Sequence, residues 1–95
     1  MRRVGVVVPV YRRAVDLMEA ELGAELVALD ADAGTCFGFN EVATSVWRAL
    51  REPSSFDRLY DQLLADYDVT PEQCRQELQE LLDDMQARGL VDLVG

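Results

Sequence analysis

Histidine and lysine are missing from this 95-residue chain, and all nine of its positive charges are arginines. Without histidine it lacks the usual neutral-pH general base, the commonest proton shuttle and the commonest metal ligand. Cysteine is scarce: Cys36 and Cys74 stand 38 positions apart, with no CxxC pair. That spacing implies neither a zinc site nor a disulfide framework, and two such thiols fit a reduced, cytoplasmic setting. No apolar run approaches the roughly 20 residues of a transmembrane helix. Val4–Val10 (VGVVVPV) follows two arginines, but Pro9 interrupts it and it runs into Tyr11-Arg12-Arg13 with no small-residue cleavage site. It reads as an extended arm or an edge strand. These absences speak against an enzyme and a membrane protein, and they imply no cofactor or metal.

What is present describes one small globule. Apolar residues make up 49% and charged residues 28%, which suits a folded domain with one modest core. The formal charge is −9, unevenly spread. Arg2, Arg3, Arg12 and Arg13 lie in the first thirteen residues, whereas beyond them five arginines face eighteen carboxylates. An acidic body repels nucleic acid, whose binding depends on phosphate neutralisation. It tolerates or attracts basic partners, or simply maintains solubility. The expected organisation is an arm over residues 1–13 and a domain over 14–95.

The hydropathy period changes near Asn40. Before it, Leu17–Leu22, Glu25–Asp30 and Thr35–Phe39 alternate with the period of strands, separated by Gly23-Ala24 and by the turn cluster Asp30–Gly34. Short connections predict an antiparallel meander. In the first strand Met18, Ala20 and Leu22 share one face, with Glu19 and Glu21 on the other. After Asn40 the period is helical. Asn40 caps a helix over Glu41–Leu50, and Ser54 with Asp57 resembles a capping box for a second. Thr70-Pro71-Glu72-Gln73 opens a third that runs to about Arg88 and stops at Gly89. The fold class expected is α+β: a three-stranded antiparallel sheet followed by a three-helix bundle, the content of a winged helix-turn-helix.

Few residues invite chemistry. Gly34-Thr35-Cys36-Phe37-Gly38 fits G-x-C-x-G, a cysteine version of a nucleophile elbow, but that motif needs a base and a strand–turn–helix setting. Cys36 reads instead as a half-buried strand residue. Asp30 with Asp32, and Asp83 with Asp84, match no calcium loop and read as solvated. Trp47 lies on the apolar stripe of the first helix and reads as core. The third predicted strand stands out. In a meander it is an edge, and edges are normally blunted by charge or proline. Thr35–Phe39 has neither, and Gly38 lets another backbone approach. An undefended edge can take an extended peptide as an added strand. The expected site is Thr35, Cys36, Phe37, Gly38 and Phe39, walled by Leu78 and Leu82 with Arg75, Gln79, Asp83 and Gln86 of the third helix.

Ala28-Leu29-Asp30, then the run from Gly34 through Phe37-Gly38-Phe39-Asn40-Glu41 to Trp47 and Leu50, resemble the PqqD family. So do Tyr67-Asp68-Val69-Thr70-Pro71-Glu72 and the ending Leu81-Leu82 … Arg88-Gly89-Leu90-Val91. The resemblance covers about residues 17–94. Two departures are visible: Phe39 replaces the family's usual Leu before Asn, and Arg51-Glu52-Pro53 stands where a Gly commonly follows the first helix. The resemblance implies a RiPP recognition element, a non-catalytic domain that binds the leader of a ribosomally made precursor peptide. It presents the leader to a maturation enzyme, such as a leader peptidase or a radical-SAM enzyme. It also implies that the leader adds to the third strand and lies against the third helix. The G-x-C-F-G-F-N string with the following tryptophan looks like stand-alone elements of lasso-peptide pathways.

Two other classes compete. A winged-helix DNA-binding regulator would need a basic recognition helix, yet Pro71–Arg88 carries five carboxylates against two arginines. A structural subunit could use the same edge for homodimerisation. The favoured reading is a monomer or weak dimer that binds neither nucleic acid nor membrane.

Overall fold

A computed structural model describes residues 8–95. It contains β1 (Val10–Arg13), β2 (Met18–Leu22), β3 (Glu25–Asp30), β4 (Thr35–Phe39), α1 (Glu41–Ala49), α2 (Phe56–Asp66), α3 (Pro71–Ala87) and β5 (Val91–Val94). The architecture is α+β. The expected meander is present as an antiparallel sheet in the order β2-β3-β4, with three helices after it. Two glycines make its turns possible. Gly23 (φ 66°) begins the two-residue reversal between Leu22 and Glu25, and Gly34 (φ 68°) closes the Asp30 loop. Within that loop the Asp30 carboxylate accepts from the backbone N–H of Asp32 and of Ala33, both at 3.1 Å.

The helix boundaries follow from side chains able to satisfy free N–H groups. Asn40 accepts from Ala43 N–H at 2.9 Å and Thr70 from Gln73 N–H at 3.2 Å, with Pro71 at the first position of α3. The cap of α2 is Ser55, which accepts from Arg58 N–H at 3.2 Å, and not Ser54. Ser54 is buried and its backbone exchanges hydrogen bonds with Tyr11 at 2.8 and 2.9 Å, so it is held for another purpose. Helix α3 ends in a Schellman turn: Gly89 has φ 76°, and Leu90 N–H donates to the Met85 carbonyl at 2.9 Å.

Two features go beyond what the sequence predicts. Residues 10–13 are not a loose arm. They pair antiparallel with β5, Val10 opposite Val94 and Arg13 opposite Val91, and Tyr11 is buried in the core. Arg2, Arg3 and the Val4–Val7 part of the arm lie outside the described residues. The second feature concerns β2. Its apolar face points to solvent, with Met18 66% and Leu22 65% exposed. Its carboxylates lie on the same side as Leu26 and Ala28, toward α1.

The core sits between the inner face of the sheet and the helices. Leu26, Ala28 and Phe39 from the sheet meet Val46, Trp47 and Leu50 of α1, Leu59 and Leu63 of α2, and Cys74, Leu78, Leu82 and Met85 of α3. Trp47 has no exposed surface and stacks on Phe39 with ring centroids 5.6 Å apart. The Arg13 guanidinium lies 4.2 Å over the indole, and its Nε donates to the Trp47 carbonyl at 3.2 Å. Burial lowers the Arg13 pKa while Glu19 opposes the shift; an arginine so placed stays charged at neutral pH.

A candidate peptide groove beside an open strand

Strand β4 pairs with β3 on one side only, so its second edge is free among the described residues. Alternate residues of a strand turn N–H and C=O outward, so five residues leave about two or three sets of backbone groups open. No charge or proline protects Thr35–Phe39. Gly38 makes the approach easier, because even an added Cβ there meets nothing within 4 Å.

A groove of about 290 Å³ runs along this edge. Its floor and near wall are Cys36, Phe37, Gly38, Phe39, Asn40 and Ala43; its far wall is Leu81, Asp84, Met85, Arg88 and Leu90. A depression of about 280 Å³ bounded by Val42 and Glu77 shares Asn40 and Leu81 with it, which prolongs the trough along α3. Phe37 and Phe39 face the same way as Ala28 and Leu26, so the side chains beside the open edge are aromatic and set on the packed side of the sheet. Arg88 Nε donates to Asp84 Oδ2 at 3.0 Å, so the polar rim is a paired charge and not a fixed field of one sign.

The strand residues expected at the site, Thr35 through Phe39, form this edge together. The helix residues do not join them. Leu78 and Leu82 are 1% and 0% exposed and lie wholly in the core, with no surface to offer a ligand. Arg75, Gln79, Asp83 and Gln86 fall on the side of α3 turned away from β4, at 100° per residue. Arg75 and Gln79 border a different cleft, next to α2, and Gln79 donates to Asp83 Oδ1 at 2.9 Å. Sequence reasoning passed over Leu81, Asp84, Met85 and Arg88 as a wall. One signal was available: Leu81 widens the apolar stripe of α3 on one flank, and Asp84 and Arg88 continue that flank at steps of three and four.

The groove can form backbone hydrogen bonds and seat apolar side chains. Its only nucleophile is Cys36, which lies mid-strand and exposed, not on the strand–turn–helix corner that an elbow requires. The other thiol, Cys74, is buried, and burial pushes its pKa up, which makes it less reactive. Among the described residues no group of His, Cys, Asp or Glu is arranged to hold a metal ion, and no helix is long and apolar enough to cross a membrane.

Comparison with known proteins bears on this geometry. A solved structure described as TbiB1 in complex with the TbiA(beta) leader peptide shares the fold with TM-score 0.75 and 23% identity, over 85% of this chain and 94% of that one. A lasso peptide synthetase B1 complexed with the leader peptide matches with TM-score 0.72 and 18% identity, over 86% and 96%. A search of curated proteins finds no match. The family model for Coenzyme PQQ synthesis protein D (PqqD) matches residues 25–91, from the start of β3 through α3 to the first residue of β5. The chain belongs to the PqqD family.

Proposed function

We propose that this protein binds the leader segment of a ribosomally synthesised precursor peptide and delivers it to a maturation enzyme, without catalysing a reaction itself. The observation that carries the reading is the undefended edge of β4 with a groove of mixed polar and apolar lining beside it. An incoming extended segment continues the β2-β3-β4 ladder, and alternate side chains settle between the partly exposed Phe37 on one side and Leu81 on the other. Backbone bonds supply affinity, and the groove chooses side chains. Holding the leader raises the local concentration of the attached core peptide near the enzyme. A single added strand buries a small area, consistent with a dissociation constant in the nanomolar-to-micromolar range.

Family membership and the two leader-peptide complexes of like fold support this reading. The enzyme served, in this reading, is a lasso-pathway leader peptidase. The DNA-binding alternative finds no support in charge, because residues 56–88 carry nine carboxylates against three arginines. Likeness to a winged helix-turn-helix rests on element order alone.

The test is titration of the leader encoded beside this protein, followed by backbone amide shifts. Largest shifts are expected at Thr35–Phe39 and at Leu81, Asp84 and Arg88. Leader peptides N-methylated at successive residues add a stricter criterion. Affinity should fall at every second position of the bound stretch, since only alternate N–H groups face β4. A response with no such period would exclude strand addition.

A further inference from the structure

A second concave surface lies on the opposite side of α3, between it and α2. It is a cleft of about 730 Å³ lined by Phe56, Tyr60, Pro71, Arg75, Gln76 and Glu80, with Glu72 and Gln79 at its margin. The rings of Phe56 and Tyr60 stack with centroids 6.4 Å apart and form an aromatic floor. Arg75 lies over that floor, its guanidinium carbon 4.6 Å from the Tyr60 centroid and 5.8 Å from that of Phe56. Among the described residues Arg75 makes no ion pair and no side-chain hydrogen bond. The cleft therefore holds a cation by its rings alone, while the carboxylates Glu72 and Glu80 on its rim stay unpaired by any arginine. A neighbouring hollow of about 300 Å³ shares Phe56 and adds Asp57, Tyr11 and Leu93.

We propose that this cleft docks a basic, aromatic- or aliphatic-bearing segment of the maturation enzyme, at the same time as the leader occupies β4. The proposal rests on the leader-binding reading and adds to it a separate enzyme-facing surface. Charge selects the occupant. Glu72, Glu80 and Asp83 on this face of α3, with Asp57 on α2, outnumber Arg75, whereas the leader trough carries the Asp84–Arg88 pair and Glu77 as its one further carboxylate. A partner arginine or lysine takes the place of Arg75 over Tyr60, where the rim carboxylates then meet its charge. Moving Arg75 aside breaks no ion pair. The position serves a relay: groove and cleft use opposite flanks of one helix, so neither guest blocks the other.

The probe is a twelve-residue peptide, capped at both ends, that alternates arginine with leucine or tryptophan. A second peptide carries glutamate in place of every arginine. Each is titrated into the full-length protein, with backbone amide shifts recorded with and without the leader bound. The basic peptide should move Tyr60, Arg75, Gln76 and Glu80 saturably, leave Phe37 and Arg88 in place, and lose about tenfold in affinity between 50 and 300 mM salt. The double variant Glu72→Gln/Glu80→Gln should weaken it at least fivefold. Arg75→Ala should leave its affinity unchanged or raise it. Binding of the acidic peptide at the cleft, loss of binding in Arg75→Ala, or shifts scattered over the acidic surface would overturn the proposal. Shifts of β4 by the leader are read in the same spectra, so a failure at the cleft is distinguishable from a failure of leader binding.

Discussion

The indole N–H of Trp47 donates to Glu19 Oε2 at 3.1 Å, and this bond accounts for the orientation of β2. A buried indole needs an acceptor. Glu19 supplies it from the sheet, and Arg13 Nη1, 3.5 Å from the same oxygen, balances the charge. One residue pair thus turns the carboxylate face of β2 inward and the Met18–Leu22 face outward. Glu21 follows, accepting from Arg48 Nη2 at 2.6 Å.

Removing that acceptor should destabilise the fold. Glu19→Leu leaves the indole N–H unsatisfied, which costs about 1–3 kcal/mol, whereas Glu19→Gln keeps an acceptor and should lose less. Urea unfolding followed by Trp47 fluorescence measures both. Equal stability of Glu19→Leu and the parent protein would contradict the assigned role.

The strand β1 should behave as part of the body. Tyr11→Ala empties a buried position between Ser54 and α3 and is expected to cost about 3 kcal/mol. Thermal unfolding should register it as a single cooperative transition at lower temperature. A variant as stable as the parent would mean that residues 10–13 are dispensable to the fold.

The two faces of α3 should separate by mutation. Leu81→Lys places a charge in the groove wall and should weaken leader binding about tenfold or more, with stability changed by less than about 1 kcal/mol. Gln86→Lys, on the other flank, should leave leader affinity within about twofold at moderate salt. Leu82→Ala should destabilise by about 2–5 kcal/mol through a core cavity. Isothermal titration with unfolding curves distinguishes the three.

The cysteines give a chemical readout. Cys36 should react with a thiol reagent in the folded protein, and bound leader should slow it; Cys74 should react only on unfolding. The Cys74 pKa is raised by burial, so its proton is held more tightly in the folded state than in the unfolded one. Its contribution to stability is therefore complete below the unfolded thiol value, about 8.5, and declines as pH rises beyond it. Cys74→Ala should remove that alkaline decline while lowering stability at neutral pH.

Local chemistry made much of this readable in advance. Asn40, Thr70-Pro71 and Gly89 each satisfy backbone groups within their own turn, so the helix limits follow from neighbours in the chain. The edge status of Thr35–Phe39 follows from short loops. What escaped depends on distant partners. Val10–Arg13 finds its strand partner some eighty residues on, which no periodicity records. Alternation in β2 defines two faces but not which one is inward, because Trp47 decides that from another element. The stripe of α3 is broad enough to pack on α2 and border β4 together, so composition alone placed Leu78 and Leu82 at the groove when packing hides them.

Because Val10 lies opposite Val94, the first and last strands of the described body bring its two ends side by side. A unit with that plan can be carried as an insert in a surface loop of a larger host without being pulled open. Grafted between unrelated carriers, it would bring its own guest along and ask nothing of the host but two adjacent attachment points.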